Sequence, residues 1–185
     1  MVENLHKTTL ELESGLEFIR QSPKDNGAVK LIVRRPKPGE REVLESGEID
    51  PRQGLAGDSW LARGSSATAD GSARPEAQIT LMNVRVIALL ADDRERWPLA
   101  GDQIYVDLDL SDANLPPGSR LALGTAVLEV SALPHTGCAS FSQRFGVDAL
   151  RFVNSPAGKQ LHLRGINARV IQAGKVSVGD LARII

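Results

Sequence analysis

Apolar residues along this chain keep two different rhythms. In residues 3–20, "ENLHKTTLELESGLEFIR", the positions Leu5, Thr9, Leu12, Leu16 and Ile19 fall at helical spacing. Gly15 weakens that pattern. It predicts a short N-terminal helix ended by "SPKDNG", an appendage over residues 1–27. From residue 28 the period shortens. "AVKLIVRRP" reads as a strand stopped by the turn cluster "PKPGE", and "REVLESGEID" as a second strand with a turn. "PRQGLAGDSW" is glycine-punctuated loop. "LARGSSATADGSARPEA" has no periodicity, and residues 62–77 within it read as a mobile surface loop of about 15 residues. "QITLMN" predicts a strand and "VRVIALLADDRERW" a helix.

The second half is more regular. "DQIYVDLDL" alternates Ile104, Val106, Leu108 and Leu110 with Tyr105, Asp107 and Asp109, which predicts a half-buried strand with both aspartates in solvent. "RLALGTAVLEVSAL" predicts two short strands hinged at Gly124. "FSQRFGVDALRFVN" reads as helical, broken by "SPAGKQ". "ARVIQ", "AG" and "KVSVGD" read as a hairpin. Strands dominate, with turn signals every roughly 8–12 residues. The fold class is mainly β: a β-barrel or barrel-like sandwich over residues 28–185 as one domain, with a few peripheral short α-helices.

Composition narrows the chemistry. Net charge is −1, so no overall field pulls the chain toward nucleic acid or an anionic membrane. No apolar run approaches the roughly 18–20 residues of a membrane span, and "MVENLHKTTLELESG" lacks the pattern of a secretory leader. The single cysteine, Cys138, forms no internal disulfide, and His6, His135 and His162 lack metal-ligand spacing. These features predict a reduced, cytoplasmic protein.

Cys138 stands in "LPHTGCASFSQRFG", in a loop just after a strand. Loops on rigid scaffolds collect chemistry, although a lone cysteine is as readily a small core residue. His135, three positions earlier, is placed to lower the thiol pKa or to shuttle a proton, without a protease-like signature around it. Arg164, in "LRGI" at a strand entrance, is the best anion fork, followed by Arg144. Arg63 and Arg74 flank the small-residue loop. Asp58 and Asp180, each after a glycine, read first as turn caps. No nucleotide-binding glycine motif is present.

The segments "GLAGDSW" (54–60), "QITLMN" (78–83), "GDQIYVDLDL" (101–110), "LPPGSRLALGTAVLEVSALPHTGC" (115–138) and "LRGINARVIQAGKVSVGD" (163–180), in this order, resemble the MOSC domain family, found at the C-terminus of molybdenum cofactor sulfurases and as small free-standing proteins. The resemblance implies a β-barrel-rich fold and a molybdenum-pterin cofactor. It implies that Cys138 is the hallmark cysteine, a thiolate ligand to molybdenum in relatives that reduce N-hydroxylated compounds. Arg164 and then Arg144 would cradle the pterin phosphate, and Asp58 would orient the pterin-side loop. Small-molecule substrates and an electron-donor protein are then implied. In the sulfurase context Cys138 would instead carry a persulfide for a sulfurtransferase partner. This chain reads "HTGC" and "GDSW" where relatives often carry basic residues, which leaves open a third reading, a barrel without the cofactor that binds another ligand.

Overall fold

Strand residues 27–34 meet three different partners, and that sharing closes the sheet into a barrel. The structure, a computed structural model, describes residues 6–185. Its strands are β1 (Gly27–Arg34), β2 (Glu42–Leu44), β3 (Ser46–Asp50), β4 (Gly54–Leu55), β5 (Ile79–Asn83), β6 (Ile104–Val106), β7 (Arg120–Leu123), β8 (Ala126–Val130), β9 (Ile166–Gln172), β10 (Gly174–Ser177) and β11 (Leu181–Ile184). The helices are α1 (Thr9–Ser14), α2 (Leu16–Arg20), α3 (Trp60–Arg63), α4 (Val84–Leu90), α5 (Ala139–Phe145), α6 (Val147–Asn154) and α7 (Pro156–Gln160). Seven strands run in the order β1-β6-β5-β9-β8-β7-β11, and β11 pairs back onto β1. Only β5 and β6 are parallel within this ring. Strand β2 hangs on β1 outside it, and β10, β3 and β4 form a separate small sheet.

Alternation along the strands splits the apolar residues between two cores. Val29, Ile32, Ile104, Val106, Leu121, Leu128 and Ile166 fill the barrel interior. Leu31, Val33, Met82 and Tyr105 point outward from the same wall, under Leu12, Ile87, Phe141, Phe145 and Phe152 of the helices. Each such side chain contributes on the order of 1.5–3 kcal/mol by leaving water.

This second layer corrects several sequence expectations. The 104–110 segment is not half-buried, because helices cover Tyr105 and its hydroxyl donates to the Trp97 carbonyl at 2.9 Å. Asp107 is held by Arg85 at 2.7 Å, and Asp109 is buried and paired with Lys24. The predicted N-terminal helix is two helices, split at Gly15, where a Cβ would lie 2.6 Å from Leu89 of α4; its first residues, 3–5, lie outside the described residues. A capping box of Thr8 and Glu11 starts α1. "SPAGKQ" breaks the helical region at Ser155, whose backbone is extended after α6, and then starts a new short helix. Ser155 accepts from the Gly158 N–H at 2.9 Å and Pro156 opens α7. Strands β9 and β10 do not pair with each other: β9 joins β5 and β8, while β10 joins β3. The hinge at Gly124 stands, with φ +56 between antiparallel β7 and β8. Residues 64–72 form turns closed by their own hydrogen bonds, such as Thr68 Oγ1 to the Ser72 carbonyl at 2.7 Å.

Gly165 leads into β9 with φ +106, and a Cβ there would sit 2.3 Å from the Leu81 carbonyl. Gly165→Ala is expected to cost about 2 kcal/mol or more in urea unfolding. Gly118→Ala, also at positive φ but with open space around it, is expected to cost only about 1–2 kcal/mol. Equal losses at both sites would contradict the packing argument.

Candidate functional site

A carboxylate buried at the mouth of the barrel collects the loops around the cysteine. Asp102 precedes β6, after the 3₁₀ turn Arg94–Ala100 and Gly101, whose φ is +90. Its side chain is wholly buried. Oδ2 accepts from Arg164 Nη1 at 2.6 Å and Oδ1 pairs with His135 Nε2 at 3.0 Å. Arg164 also donates Nη2 to the Ala100 carbonyl at 2.9 Å and stacks over the Phe141 ring at 5.1 Å. Its Nε is buried with no hydrogen-bond partner among the described residues.

Burial pushes the Asp102 carboxyl up, but Arg164 and then His135 outweigh it and hold it below the usual carboxylate range. Burial first, then the Arg164 charge, pushes His135 below its ordinary value near 6.5, against the pull of Asp102. A neutral imidazole therefore donates Nε2–H to Asp102.

Cys138 is exposed and occupies the N-cap position of α5, without a side-chain capping hydrogen bond. Partial burial pushes the thiol up. The N–H groups of Phe141 and Ser140, then Arg164 and Arg144, outweigh it and leave the thiol below its ordinary value near 9.0. His135 thus engages Asp102, and the groups that favour the thiolate are backbone dipoles and arginines. Asn154 steadies the preceding residue: its Oδ1 accepts from the Gly137 N–H at 2.9 Å and its Nδ2 donates to the Gly137 carbonyl at 3.1 Å.

Arg144 and Asp58 come to the same corner in different roles, and Asp180 lies near the start of β1 instead. Arg144 donates Nη1 to the Leu99 carbonyl at 2.7 Å. A Cβ on Gly101 would lie 3.7 Å from Arg41 Nη2 and 4.0 Å from Arg144 Nη1. The Asp58 side chain is fully buried and accepts hydrogen bonds on both oxygens. Oδ2 accepts from the Arg35 N–H at 2.8 Å and Nε at 2.9 Å, and Oδ1 from Arg35 Nη2 at 2.8 Å and the Trp60 N–H at 3.0 Å. Arg35 in turn donates Nη1 to the Gly101 carbonyl at 2.9 Å. Asp58 therefore acts by positioning Arg35. Asp180 caps a turn, accepting from the Ser177 N–H at 2.7 Å.

A cleft of about 430 Å³ opens beside these groups, lined by Arg35, Lys37, Arg41, Ser59 and Arg63 among others. Burial, then the neighbouring Arg144 and Arg35, lowers the Arg41 pKa; burial, then Arg35, lowers that of Arg63. Cations held this close without enough counter-charge suit an anionic ligand. Sequence reasoning missed Asp102, Arg35 and Arg41. Asp102 carried the same Gly-Asp signal weighed at Asp58 and Asp180. Nothing local marked the other two. No group of three or more His, Cys, Asp or Glu side chains among the described residues is placed to hold a metal ion, and no helix among them is long and apolar enough to cross a membrane.

A closed seven-stranded barrel with short helices around it defines the class of protein. The MOSC domain model matches residues 69–183, and the chain belongs to that family, which is associated with the molybdenum cofactor. The fold is similar to that of the YuaD protein from Bacillus subtilis, at 18% identity and TM-score 0.65 over 85% of this chain and 94% of that one. It is similar also to YiiM from Escherichia coli (17%, TM-score 0.55, 85% and 69%) and from Geobacillus stearothermophilus (13%, TM-score 0.53, 87% and 74%). No curated protein matches the chain.

The hub sets an acid limit on stability. A carboxylate whose folded pKa is depressed stabilises the fold above its unfolded value, near 3.8, and loses that contribution as pH falls through the folded value. His135, also depressed, adds a loss as pH falls below about 6.5. Asp102→Asn, which strands the buried Arg164 charge, is expected to cost about 3–5 kcal/mol at pH 7. His135→Asn is expected to flatten the decline between pH 6.5 and 5. Urea unfolding across pH checks both, and an unchanged slope in His135→Asn would contradict the assignment.

Proposed function

We propose that this chain binds a molybdenum-pterin cofactor through Cys138 and the arginine cleft, and supports molybdenum-dependent reduction of N-hydroxylated compounds. The observation that carries the reading is Cys138 itself: an exposed thiol tilted toward thiolate by two backbone N–H groups and by Arg164 and Arg144. A soft thiolate suits a soft metal. The protein supplies no further metal-ligand cluster among the described residues, which fits a metal arriving with its own pterin ligands. The buried, unpartnered Nε of Arg164 is a donor that a bound group would satisfy.

The residues divide the work by what remains unspent. Arg164 has committed Nη1 and Nη2 to Asp102 and Ala100, so it contributes its charge and Nε. The phosphate cradle falls to Arg63 and to Nη2 of Arg41, whose Nε and Nη1 hold the Pro98 and Glu40 carbonyls, with Arg144 beside Arg41 and Arg35 locked in place by Asp58. Lys37 stands at the cleft edge. When bound, the cofactor supplies oxygen removal from an N-hydroxylated substrate, with electrons from a separate donor protein. The exposure of Cys138 also favours the second reading, a persulfide carrier serving a sulfurtransferase partner.

Gentle anaerobic purification from a molybdenum-replete host, followed by elemental and pterin analysis, tests this. Molybdenum and pterin are expected together in the parent, with the metal lost from a folded Cys138→Ala variant. A parent lacking both would overturn the cofactor reading. One extra sulfur on Cys138 by intact mass would then assign the persulfide role, and a bare thiol would leave a ligand-binding barrel.

A further inference from the structure

A second cavity opens on the other side of the segment that leads to Cys138. Its volume is about 490 Å³, inside the roughly 300–1,000 Å³ range of small-molecule sites. Leu115, Val130, Val153 and Ile166 make an apolar floor, and all four are buried core side chains. Close packing keeps such a floor in shape. The lining holds neither Cys138 nor any arginine.

Besides Ser131 and Thr136, the wall carries one carboxylate, Asp112, which His162 engages, and polar groups of two further kinds. Asn154 and Asn167 are spent on backbone: Asn154 on Gly137, and Asn167 Nδ2 on the carbonyls of Leu133 at 3.1 Å and Pro134 at 3.3 Å. They pin the wall that the cavity shares with the thiol loop. His135, His162 and Lys159 keep capacity. His162 pairs Nε2 with Asp112 at 2.8 Å and His135 pairs Nε2 with Asp102, so each retains one ring nitrogen without a protein partner among the described residues. The Lys159 ammonium has no side-chain partner among them. His162 adopts φ +48 as the residue that closes the C-terminal cap of α7, its N–H on the Lys159 carbonyl at 3.2 Å and the Leu163 N–H on the Gly158 carbonyl at 2.9 Å.

The charges of the two cavities sort their ligands. The cleft of Arg35, Arg41 and Arg63 suits a phosphate, which takes several guanidinium forks. With Asp112 turned to His162, the Lys159 ammonium beside an apolar floor suits a single negative charge on an apolar body. The geometry points to a binding site for a small carboxylic acid with a planar apolar body. The body rests on the Leu115, Val130, Val153 and Ile166 floor, the carboxylate meets Lys159, and the open ring nitrogens of His135 and His162 give polar contacts. This site does not depend on the cofactor reading.

Benzoate titrated into isotope-labelled protein, followed by amide chemical shifts, tests it, with benzamide as the uncharged control. Saturable shifts are expected at Thr136, Asn154, Gly158 and His162. Benzamide, and benzoate against Lys159→Gln, should bind about tenfold more weakly. Ala132→Trp, at an exposed position on the rim, should abolish the shifts while keeping a folded spectrum. Shifts confined to the arginine cleft, shifts that do not saturate, or unchanged affinity in Lys159→Gln would each overturn the proposal.

Discussion

A carboxylate without contact with water must be surrounded by compensation, and Asp102 is the carboxylate on which this barrel mouth depends. Its two oxygens take a guanidinium from the segment before β9 and an imidazole from the segment after β8. The same arginine reaches the Ala100 carbonyl, and Arg35 of the β1 end reaches the Gly101 carbonyl. Four stretches of chain far apart in sequence are therefore fixed at one point. Leaving Arg164 there without Asp102 would strand a buried charge, which is why the arrangement resists piecemeal change. The position of the arginine charge near Cys138 follows from this anchor, as does the neutral state of His135.

The parts of the fold that were legible in sequence are those set by near neighbours. "RLALGTAVLEV" shows its two strands because alternation and a glycine at positive φ specify a local turn. The barrel class followed from strand spacing. The outer helical layer did not, because Tyr105 looks amphipathic whether it meets water or Phe145, and only tertiary packing decides. The β9–β10 hairpin misled for a similar reason: "AG" between two apolar runs permits a hairpin, yet the partners of both strands lie elsewhere.

Chemistry was legible where a residue type is rare. A single cysteine in a glycine-marked loop draws notice, and His135, Arg164, Arg144 and Asp58 all come to the same end of the barrel. Their division of labour was hidden. Asp58 and Asp102 share a Gly-Asp signature, and only the three-dimensional arrangement separates a clamp on Arg35 from a clamp on Arg164. Arg41 and Arg63 acquire meaning only when the cleft brings them beside Arg35. The result is a thiol near the Arg164 and Arg144 charges, with the residue before it pinned by Asn154.

Asp102 holds Arg164 where its charge favours the Cys138 thiolate. The pH dependence of Cys138 alkylation, compared between the parent and Arg164→Gln, reads this directly. A parent midpoint below the ordinary value near 9.0 and a higher midpoint in the variant are expected. A parent midpoint at or above 9.0, or no movement on removing the Arg164 charge, would contradict it.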